Sequence, residues 1–259
     1  MLSLTEVANI LRSVSDTPML DARLLMKHAG SDDQKLHDAL TRRLSHEPVS
    51  KIIGHRGFWK SDFITSADVL DPRPDSETII EAVLKTYPDT SQAHHILDIG
   101  VGSGCLLFSL LDEYPLACGT GIDKAQSALN IAYQNREKRH AELKRIDFNT
   151  SDWGTSLGTF DIIISNPPYI PTTDLAGLSP DVRKYDPISA LDGGSDGLDA
   201  YRALARSIKT VLAPNGHLFL EIGIGQGQQV RALFEKAGLR FIRSDKDLAG
   251  IDRVLIFRY

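Results

Sequence analysis

The sequence has little cysteine, and its metal-binding residue types are not grouped. The 259 residues include two cysteines, Cys105 and Cys118. Their spacing fits neither a disulfide framework nor a zinc site, so we expect both to pack as small apolar side chains. The adjacent His94 and His95 also lack the spacing of metal ligands. We therefore expect no bound metal.

Long apolar runs and blocks of basic residues are also missing. No apolar run reaches membrane-spanning length, and the N-terminus lacks a basic segment followed by an apolar one. We therefore expect a cytoplasmic protein with no membrane partner. Lys and Arg number 29 against 34 Asp and Glu, which gives a net charge of −5. Without a basic face, direct nucleic-acid binding is not expected.

The apolar pattern divides the chain into three parts. Residues 1–50 read as short amphipathic helices that begin at a Ser3–Glu6 capping box, and they serve either as structural support or in partner recognition. Residues 51–70 predict a β-hairpin linker. Residues 71–259 alternate helices and strands, which predicts a parallel sheet covered on both faces. The predicted strands lie near 95–99, 117–122, 143–148, 160–165, 217–222, 239–244 and 253–258. The last two lack a helical crossover and should pair antiparallel.

A glycine-rich turn follows the predicted strand 95–99. Gly100, Gly102 and Gly104 allow a tight turn and let a ligand approach the main chain, although such a turn also suits close helix–strand packing. The next predicted strand is followed by Asp123. This carboxylate is placed to hold two ribose hydroxyls, and its structural alternative is an N-cap or turn acid.

The tetrapeptide Asn166, Pro167, Pro168 and Tyr169 follows the predicted strand 160–165. Two consecutive prolines remove two backbone N–H groups and end the strand in a stiff loop. The Asn166 side-chain oxygen and the Pro167 carbonyl are two acceptors, which suits a planar –NH2 group with two donors. The Tyr169 ring can stack on a flat substrate. A plain strand-ending turn is the alternative.

A long irregular segment, residues 170–198, follows this tetrapeptide directly. Loops of this length in compact domains are usually functional or disordered. We expect a substrate-facing lid, with a surface insertion as the alternative.

The order of these motifs resembles the class I S-adenosylmethionine-dependent amino-methyltransferases. Other segments resemble the HemK/PrmC family, which methylates the glutamine side chain of peptide chain release factors; they are residues 47–54, 72–77, 186–194 and 246–253. The resemblance runs from about residue 45 to the end. Asp75 and Ser76 stand where Glu and Thr are common in the family, and the N-terminal helical part is shorter than usual.

The resemblance implies a Rossmann-like α/β sheet with an antiparallel last strand, a small N-terminal helical substrate-docking domain (1–50) and a methyltransferase domain (71–259). It implies S-adenosyl-L-methionine as cofactor, with Asp123 on the ribose and Asp152 and Trp153 on the adenine. The other cofactor-binding residues implied are Asp98, Gly100, Val101, Gly102, Ser103, Gly104 and Asn166. The residues implied to hold or pack the target glutamine are Asn166, Pro167, Pro168 and Tyr169, of which Asn166, Pro167 and Tyr169 are the catalytic set.

The expected activity is methyl transfer to the side-chain amide nitrogen (N5) of the glutamine in the Gly-Gly-Gln motif of release factors. A closely related alternative is a glutamine methyltransferase of a ribosomal protein, which would share the catalytic residues. A nucleic-acid amino-methyltransferase uses similar Asn-Pro-Pro-aromatic loops, but the acidic net charge weighs against it. A non-catalytic binding module is a further alternative, and the intact Asp98, Asp123 and Asn166 argue against it.

Overall fold

The computed structural model describes residues 2–259, and its N-terminal part is a group of short helices. These are α1 Leu4–Leu11, α2 Pro18–Ala29, α3 Asp33–Leu44 and α4 Val49–Ile53. Ser3 and Glu6 form the capping box that starts α1, and Pro18 occupies the first turn of α2. Asp32 caps α3 by accepting the Lys35 N–H at 3.0 Å. The apolar faces of the four helices form a cluster of their own.

A two-stranded hairpin follows, with β1 at His55–Phe58 and β2 at Ser61–Ile64 in antiparallel pairing. Two contacts hold it to the rest of the chain. The Trp59 indole N–H donates to Glu113 at 2.6 Å. The Asn135 side chain accepts from the Ile64 N–H at 2.8 Å and donates to the Ile64 carbonyl at 2.9 Å. The hairpin is therefore docked against the larger part of the protein at both its turn and its end.

The larger part is built on a seven-stranded sheet in the order β5-β4-β3-β6-β7-β9-β8. Its strands are β3 His95–Ile99, β4 Cys118–Asp123, β5 Ala141–Arg145, β6 Phe160–Ser165, β7 Leu212–Glu221, β8 Arg240–Lys246 and β9 Asp252–Arg258. Strands β3 to β7 pair in parallel, and β9 pairs antiparallel with both β7 and β8. The predicted parallel sheet with an antiparallel end is confirmed.

Helices cover both faces of this sheet and bury its alternating side chains in two clusters. The covering helices are α5 Glu77–Thr86, α6 Cys105–Glu113, α7 Gln126–Arg136, α9 Asp199–Val211 and α10 Gly227–Lys236. The short helix α8, Pro180–Tyr185, buries none of its residues and lies apart from both clusters. Ile162 and Ile164 of β6 face the cluster of α5, α6 and α7, whereas Ile163 faces the cluster of α9 and α10. Among residues 2–259, no helix is long and apolar enough to cross a membrane.

Three segments differ from their expected form. β7 begins at Leu212, five residues before the predicted start at 217. β5 ends at Arg145, three residues before the predicted end at 148. Residues 170–198 contain the helix α8 and two 3-10 turns, Thr172–Gly177 and Ile188–Ala190, instead of irregular chain alone. This segment is also paired to itself, because Ile170 bridges Asp192. Residues 170–198 therefore form a structured wall beside the carboxyl ends of the parallel strands.

A buried ion cluster fixes this wall to the N-terminal part. The Lys51 ammonium lies 3.3 Å from the Asp186 carboxylate and donates to the Ser66 and Val69 carbonyls. Arg73 contacts the other Asp186 oxygen at 2.5 Å. The Asp186 and Lys51 side chains are 1% and 3% exposed. Burial lowers the pKa of Lys51, and the negative charge of Asp186 acts in the opposite direction. Removing Asp186 therefore leaves the buried Lys51 with the Asp71 carboxylate, 3.9 Å away, as its remaining counter-charge.

We predict that Asp186→Ala lowers the free energy of unfolding by ~3–5 kcal/mol, because Lys51 and Arg73 lose their shared carboxylate. Urea unfolding followed by circular dichroism measures the change. The control is Glu235→Ala, which breaks the exposed pair with Arg231 at 3.0 Å and should cost less than ~1 kcal/mol. Equal small losses in both variants would contradict a stabilising role for the buried cluster.

Candidate active site

The carboxyl ends of four parallel strands meet at one edge of the sheet. The strand order reverses between β3 and β6, because β4 and β5 lie on one side of β3 while β6 and β7 lie on the other. Ligands of open α/β sheets bind in the crevice at such a reversal. The residues that end these strands are Ile99, Asp123, Ser165 and Glu221.

The glycine turn after β3 forms the floor of this crevice. Its start is fixed by the N–H groups of Gly100 and Val101, which both donate to the Ile122 carbonyl at 2.9 Å. Gly100 has a φ of 81°, and a Cβ there would meet no atom within 4 Å, so open space lies beside its backbone. Gly104 has a φ of 83° and precedes α6; a Cβ there would overlap the Phe108 ring.

Asp123 ends β4 beside this turn and is partly buried. One carboxylate oxygen accepts the Gly102 N–H at 3.1 Å and the other accepts the Ala125 N–H at 2.9 Å. These bonds fix the carboxylate at the cavity wall. Each oxygen keeps a lone pair that can accept from a bound hydroxyl.

Asp98 lies beneath the turn and does not line the cavity formed by the described residues. It is 1% exposed, and neither carboxylate oxygen has a hydrogen-bond partner within residues 2–259. Burial raises the pKa of Asp98 to about 8, and the negative charge of Asp123 adds to the shift. The structure thus places Asp98 directly before the glycine turn, buried and outside the described lining of the cavity.

One cavity of about 530 Å³ joins the glycine turn to the Asn-Pro-Pro-Tyr loop. Val101, Gly102 and Ser103 line one end, and Asn166, Pro167 and Pro168 line the other. The wall formed by residues 187–190 closes it from a third side. In the described chain, no three or more His, Cys, Asp or Glu side chains are grouped so that they could bind a metal ion.

Asn166 projects its amide from the end of β6. Its Nδ2 donates to the Ser76 hydroxyl at 3.0 Å. The amide oxygen therefore remains available as an acceptor. Because Pro167 and Pro168 cannot donate from their nitrogens, the strand ends here and the loop turns along the cavity. The expected pair of acceptors, the Asn166 oxygen and the Pro167 carbonyl, is thus carried by a rigid loop.

The Tyr169 ring is placed differently from its expected position against a substrate. Its hydroxyl donates to Glu221 Oε1 at 3.4 Å, and its carbonyl accepts from Gln226 at 2.9 Å. The ring packs partly against the core cluster of α9 and α10, and Tyr169 is not among the described residues that line the cavity. Burial raises the pKa of Tyr169, and the nearby Glu221 adds to the shift. The Tyr169 hydroxyl is therefore neutral, and its hydrogen bond to Glu221 helps to hold the Asn-Pro-Pro-Tyr loop in place.

The expected adenine contacts, Asp152 and Trp153, are also placed differently. Trp153 is 3% exposed and packs in the core, Asp152 is exposed, and neither is among the described cavity residues. Phe148 and Asn149 line the cavity instead. β5 ends at Arg145, and Phe148 follows three residues beyond it. The following turn is then held on α9, where the Ser207 hydroxyl donates to the Ser151 carbonyl at 3.0 Å.

Sequence reasoning left two buried side chains behind the loop without a role, Ser76 and Glu221. Glu221 is 1% exposed. Burial raises the pKa of Glu221 to about 7, and the Ser76 hydroxyl acts in the opposite direction. The sequence position of Glu221 could have indicated a place in the site. Glu221 ends β7, which pairs with β6, and β6 is the strand that precedes Asn166. Ser76 lies in the family-like segment 72–77, but its contact with Asn166 carried no signal, since 90 residues separate the two.

Comparisons with known proteins agree with this architecture. The family model of the Methyltransferase small domain matches residues 64–176. The solved structure of a methyltransferase from Pyrococcus furiosus superposes with a TM-score of 0.55 and 19% identity, covering 85% of this chain and 98% of that one. At this identity the likeness concerns the fold alone, and the Rossmann-like methyltransferase fold expected from the motifs is confirmed.

Curated relatives are similar over nearly the whole chain. A release factor glutamine methyltransferase of Rhodospirillum rubrum is 44% identical, and the alignment covers 94% of this chain and 79% of that protein. A protein of the same name from Caulobacter vibrioides is also 44% identical, over 93% of this chain and 89% of that protein. The family resemblance carried by the motifs is confirmed: the chain belongs to the release factor glutamine methyltransferase family.

Proposed function

We propose that this protein transfers a methyl group from S-adenosyl-L-methionine to the N5 side-chain nitrogen of the glutamine in the Gly-Gly-Gln motif of release factors. The observation that carries the proposal is one cavity that holds both the glycine turn with Asp123 and the Asn166–Pro167 acceptor pair. Family membership supports a release factor as the protein substrate.

The residues at the glycine-turn end fit S-adenosylmethionine. Open space beside Gly100 admits a ligand to the main chain, and both Asp123 oxygens can still accept from ribose hydroxyls. Phe148 offers an apolar ring and Asn149 an amide at the cavity wall, a combination that suits a flat heterocycle with polar edges. We assign cofactor binding to Gly100–Ser103, Asp123, Phe148 and Asn149. Asp98, whose buried carboxylate has no partner in the described chain, is left free to accept from the amino group of the cofactor.

S-adenosylmethionine, when bound, supplies a methyl group that is already activated by the sulfonium. The protein's task is to orient a poor nucleophile, because the lone pair of an amide nitrogen is delocalised into its carbonyl. The Asn166 oxygen and the Pro167 carbonyl accept from the two N–H groups and fix the nitrogen in place. They also stabilise the positive charge that develops on nitrogen during attack. Neutral acceptors suffice, and no base is needed before the attack.

We assign docking of the protein substrate to the N-terminal helices. Their buried faces already form a cluster of their own. At the start of α2, Met19 and Leu20 remain 48% and 51% exposed. The Tyr185 hydroxyl of α8 donates to the Ser45 carbonyl at 3.0 Å, which joins this helical part to the wall of the cavity. A protein bound by these helices therefore lies beside the cavity wall.

The first test concerns the cofactor. We expect Asp123→Ala to weaken S-adenosylmethionine binding by ~1.5–3 kcal/mol, because charged hydrogen bonds to the ribose are lost. Asp123→Asn, which keeps one acceptor oxygen, should fall between this variant and the wild type. Calorimetry measures the dissociation constants. The exposed Asp89, at the far end of the sheet, provides the control Asp89→Ala. An unchanged affinity in Asp123→Ala would contradict the assignment.

The second test concerns catalysis. Wild-type protein should transfer labelled methyl groups to a purified release factor, and mass spectrometry should place the label on the Gly-Gly-Gln glutamine. Asn166→Ala should lower kcat by ~10²–10³ with little change in cofactor affinity, because one of two acceptors on the –NH2 group is lost. Asn166→Asp keeps an acceptor but adds charge, so we expect poor activity.

Ribosomal proteins and DNA are the comparison substrates for this assay. Label on a ribosomal protein and none on the release factor would overturn the proposed substrate. Near-normal turnover by Asn166→Ala would overturn the role of the Asn-Pro-Pro-Tyr loop.

The third test concerns docking. The double change Met19→Ser and Leu20→Ser should raise KM for the intact release factor about tenfold, since apolar contact worth ~1–2 kcal/mol is removed. KM for a short Gly-Gly-Gln peptide should stay the same, because such a peptide does not reach α2. Leu116→Ser, which alters a leucine that is 61% exposed on the sheet domain, is the matched control. Equal changes for protein and peptide would refute docking at α2.

A further inference from the structure

We propose that Gln226 is a positioning residue that holds the Asn-Pro-Pro-Tyr loop in place through the main chain of Tyr169. The inference rests on the proposed function and adds one residue to its machinery. The two acceptors for the substrate –NH2 group, the Asn166 oxygen and the Pro167 carbonyl, must keep a fixed direction. Pro167 and Pro168 have no N–H group, so the middle of the loop cannot be anchored by main-chain donors of its own. The loop therefore has to be held at its two ends.

The first end of the loop is fixed by the sheet. Ser165 is the last residue of β6, and it pairs with Leu220 of β7 in the parallel ladder. Ser165 is buried, and its hydroxyl donates to the Ile99 carbonyl at 2.7 Å. Asn166 therefore leaves the sheet from a fixed point.

The second end of the loop is fixed by the side chain of Gln226, which is buried. Its Nε2 donates to the Tyr169 carbonyl at 2.9 Å and to the Gly197 carbonyl at 3.3 Å. Its Oε1 accepts the Gly223 N–H at 2.9 Å. Because a main-chain carbonyl only accepts and a main-chain N–H only donates, these partners allow a single orientation of the Gln226 amide.

The helix that Gln226 precedes does not use this side chain. Gln226 occupies the N-cap position of α10, but its side chain makes no capping hydrogen bond within the described chain. The amide instead joins three segments, which are the Asn-Pro-Pro-Tyr loop at Tyr169, the end of the wall at Gly197 and the connection after β7 at Gly223. The contact with Tyr169 is thus not a by-product of helix capping.

The glycines around this amide leave no room for a β-carbon. A Cβ on Gly197 would overlap the Tyr169 carbonyl oxygen and would lie 2.6 Å from Gln226 Nε2. A Cβ on Gly223 would lie 2.7 Å from Gln226 Oε1. A Cβ on Gly193 would lie 2.8 Å from Tyr169 Cα. The chain therefore closes tightly around the main chain of Tyr169, which has little space in which to shift.

Gln226 acts on the reaction through the loop. It is not among the described residues that line the cavity, so its effect on the substrate is indirect. With both ends of the loop held and φ fixed at both prolines, the Asn166 oxygen and the Pro167 carbonyl keep their directions. Loss of the bond to Tyr169 releases the second end and lets both acceptors turn away from the –NH2 group.

The main test is Gln226→Leu, which removes both the donor and the acceptor of the amide. We expect kcat for the release factor to fall by ~10–100-fold, since misorientation of a positioning group has effects of this size. The dissociation constant of S-adenosylmethionine and the KM for the release factor should change less than about threefold, because Gln226 lies outside the cavity lining. Gln228, an exposed residue in the first turn of α10, provides the matched controls Gln228→Leu and, for the second test, Gln228→Glu.

The second test, Gln226→Glu, probes the hydrogen bond itself. A protonated carboxyl can donate to the Tyr169 carbonyl and accept from the Gly223 N–H, whereas a carboxylate only accepts. Because burial favours the neutral form of a carboxyl, we expect kcat within about threefold of wild type at about pH 6 and ~10–100-fold below it at about pH 9. Asp98 and Glu221, with pKa values of about 8 and about 7, titrate in both proteins, so the ratio to wild type at each pH is the quantity compared.

The outcomes separate the two proposals. An active wild type whose kcat is unchanged in Gln226→Leu would overturn the positioning role and leave the proposed function intact. An equal loss of kcat and of S-adenosylmethionine affinity would also overturn it, since the role would then be structural. Where Gln226→Leu does not fold, Gln226→Glu decides, because a ratio to wild type that is the same at both pH values would exclude the bond to Tyr169 as the cause. A wild type that methylates no release factor would overturn the proposed function and this inference with it.

Discussion

The site depends on a single constraint, the common direction of strands β3, β4, β6 and β7. The carboxyl ends of parallel strands lie at the same edge of the sheet. Residues that follow these strands therefore meet there even when they are far apart in the sequence. The glycine turn, Asp123, Asn166 and Glu221 all follow from this. The antiparallel strand β9 brings a positive charge to the same edge, because it begins where β7 ends. Its Arg253 donates to the Ile222 carbonyl at 3.2 Å, next to Glu221. One sheet thus supplies both the acids and the cation behind the catalytic loop.

A second constraint couples the cavity to the N-terminal helices. Asp186 binds Lys51 and Arg73, and Pro187 and Ile188, which follow it directly, line the cavity. Because the Lys51–Asp186 pair is buried, moving the wall away from α4 would break a buried ion pair and leave Lys51 with Asp71 alone. The part of the chain that we assign to protein docking and the wall that faces the target are therefore held in one arrangement. Under the proposed function, this contact couples docking of the protein substrate to the wall beside its glutamine.

The elements that could be predicted from the sequence are those in which local pattern and chemistry coincide. The strand–glycine turn–helix, Asp123 and Asn166 each lie within a few residues of the strand that positions them. The adenine contacts of Asp152 and Trp153 were implied by the family resemblance and stay a prediction; in the structure Trp153 is buried, and Phe148 and Asn149 line the cavity. Ser76 could not be found in this way, since its partner is 90 residues away and only the folded sheet brings them together.

The charge of the groups around the cavity explains why an amide nitrogen suits this site. The two acceptors that face the target, the Asn166 oxygen and the Pro167 carbonyl, are neutral. A carboxylate in their place would favour an ammonium ion, which has no lone pair for attack. Asp98 lies before the glycine turn and Glu221 behind the Asn-Pro-Pro-Tyr loop, and burial raises their pKa values to about 8 and about 7. Two hydrogen bonds in the plane of an amide –NH2 leave the face of the nitrogen open, and that face is the direction from which a methyl group must arrive.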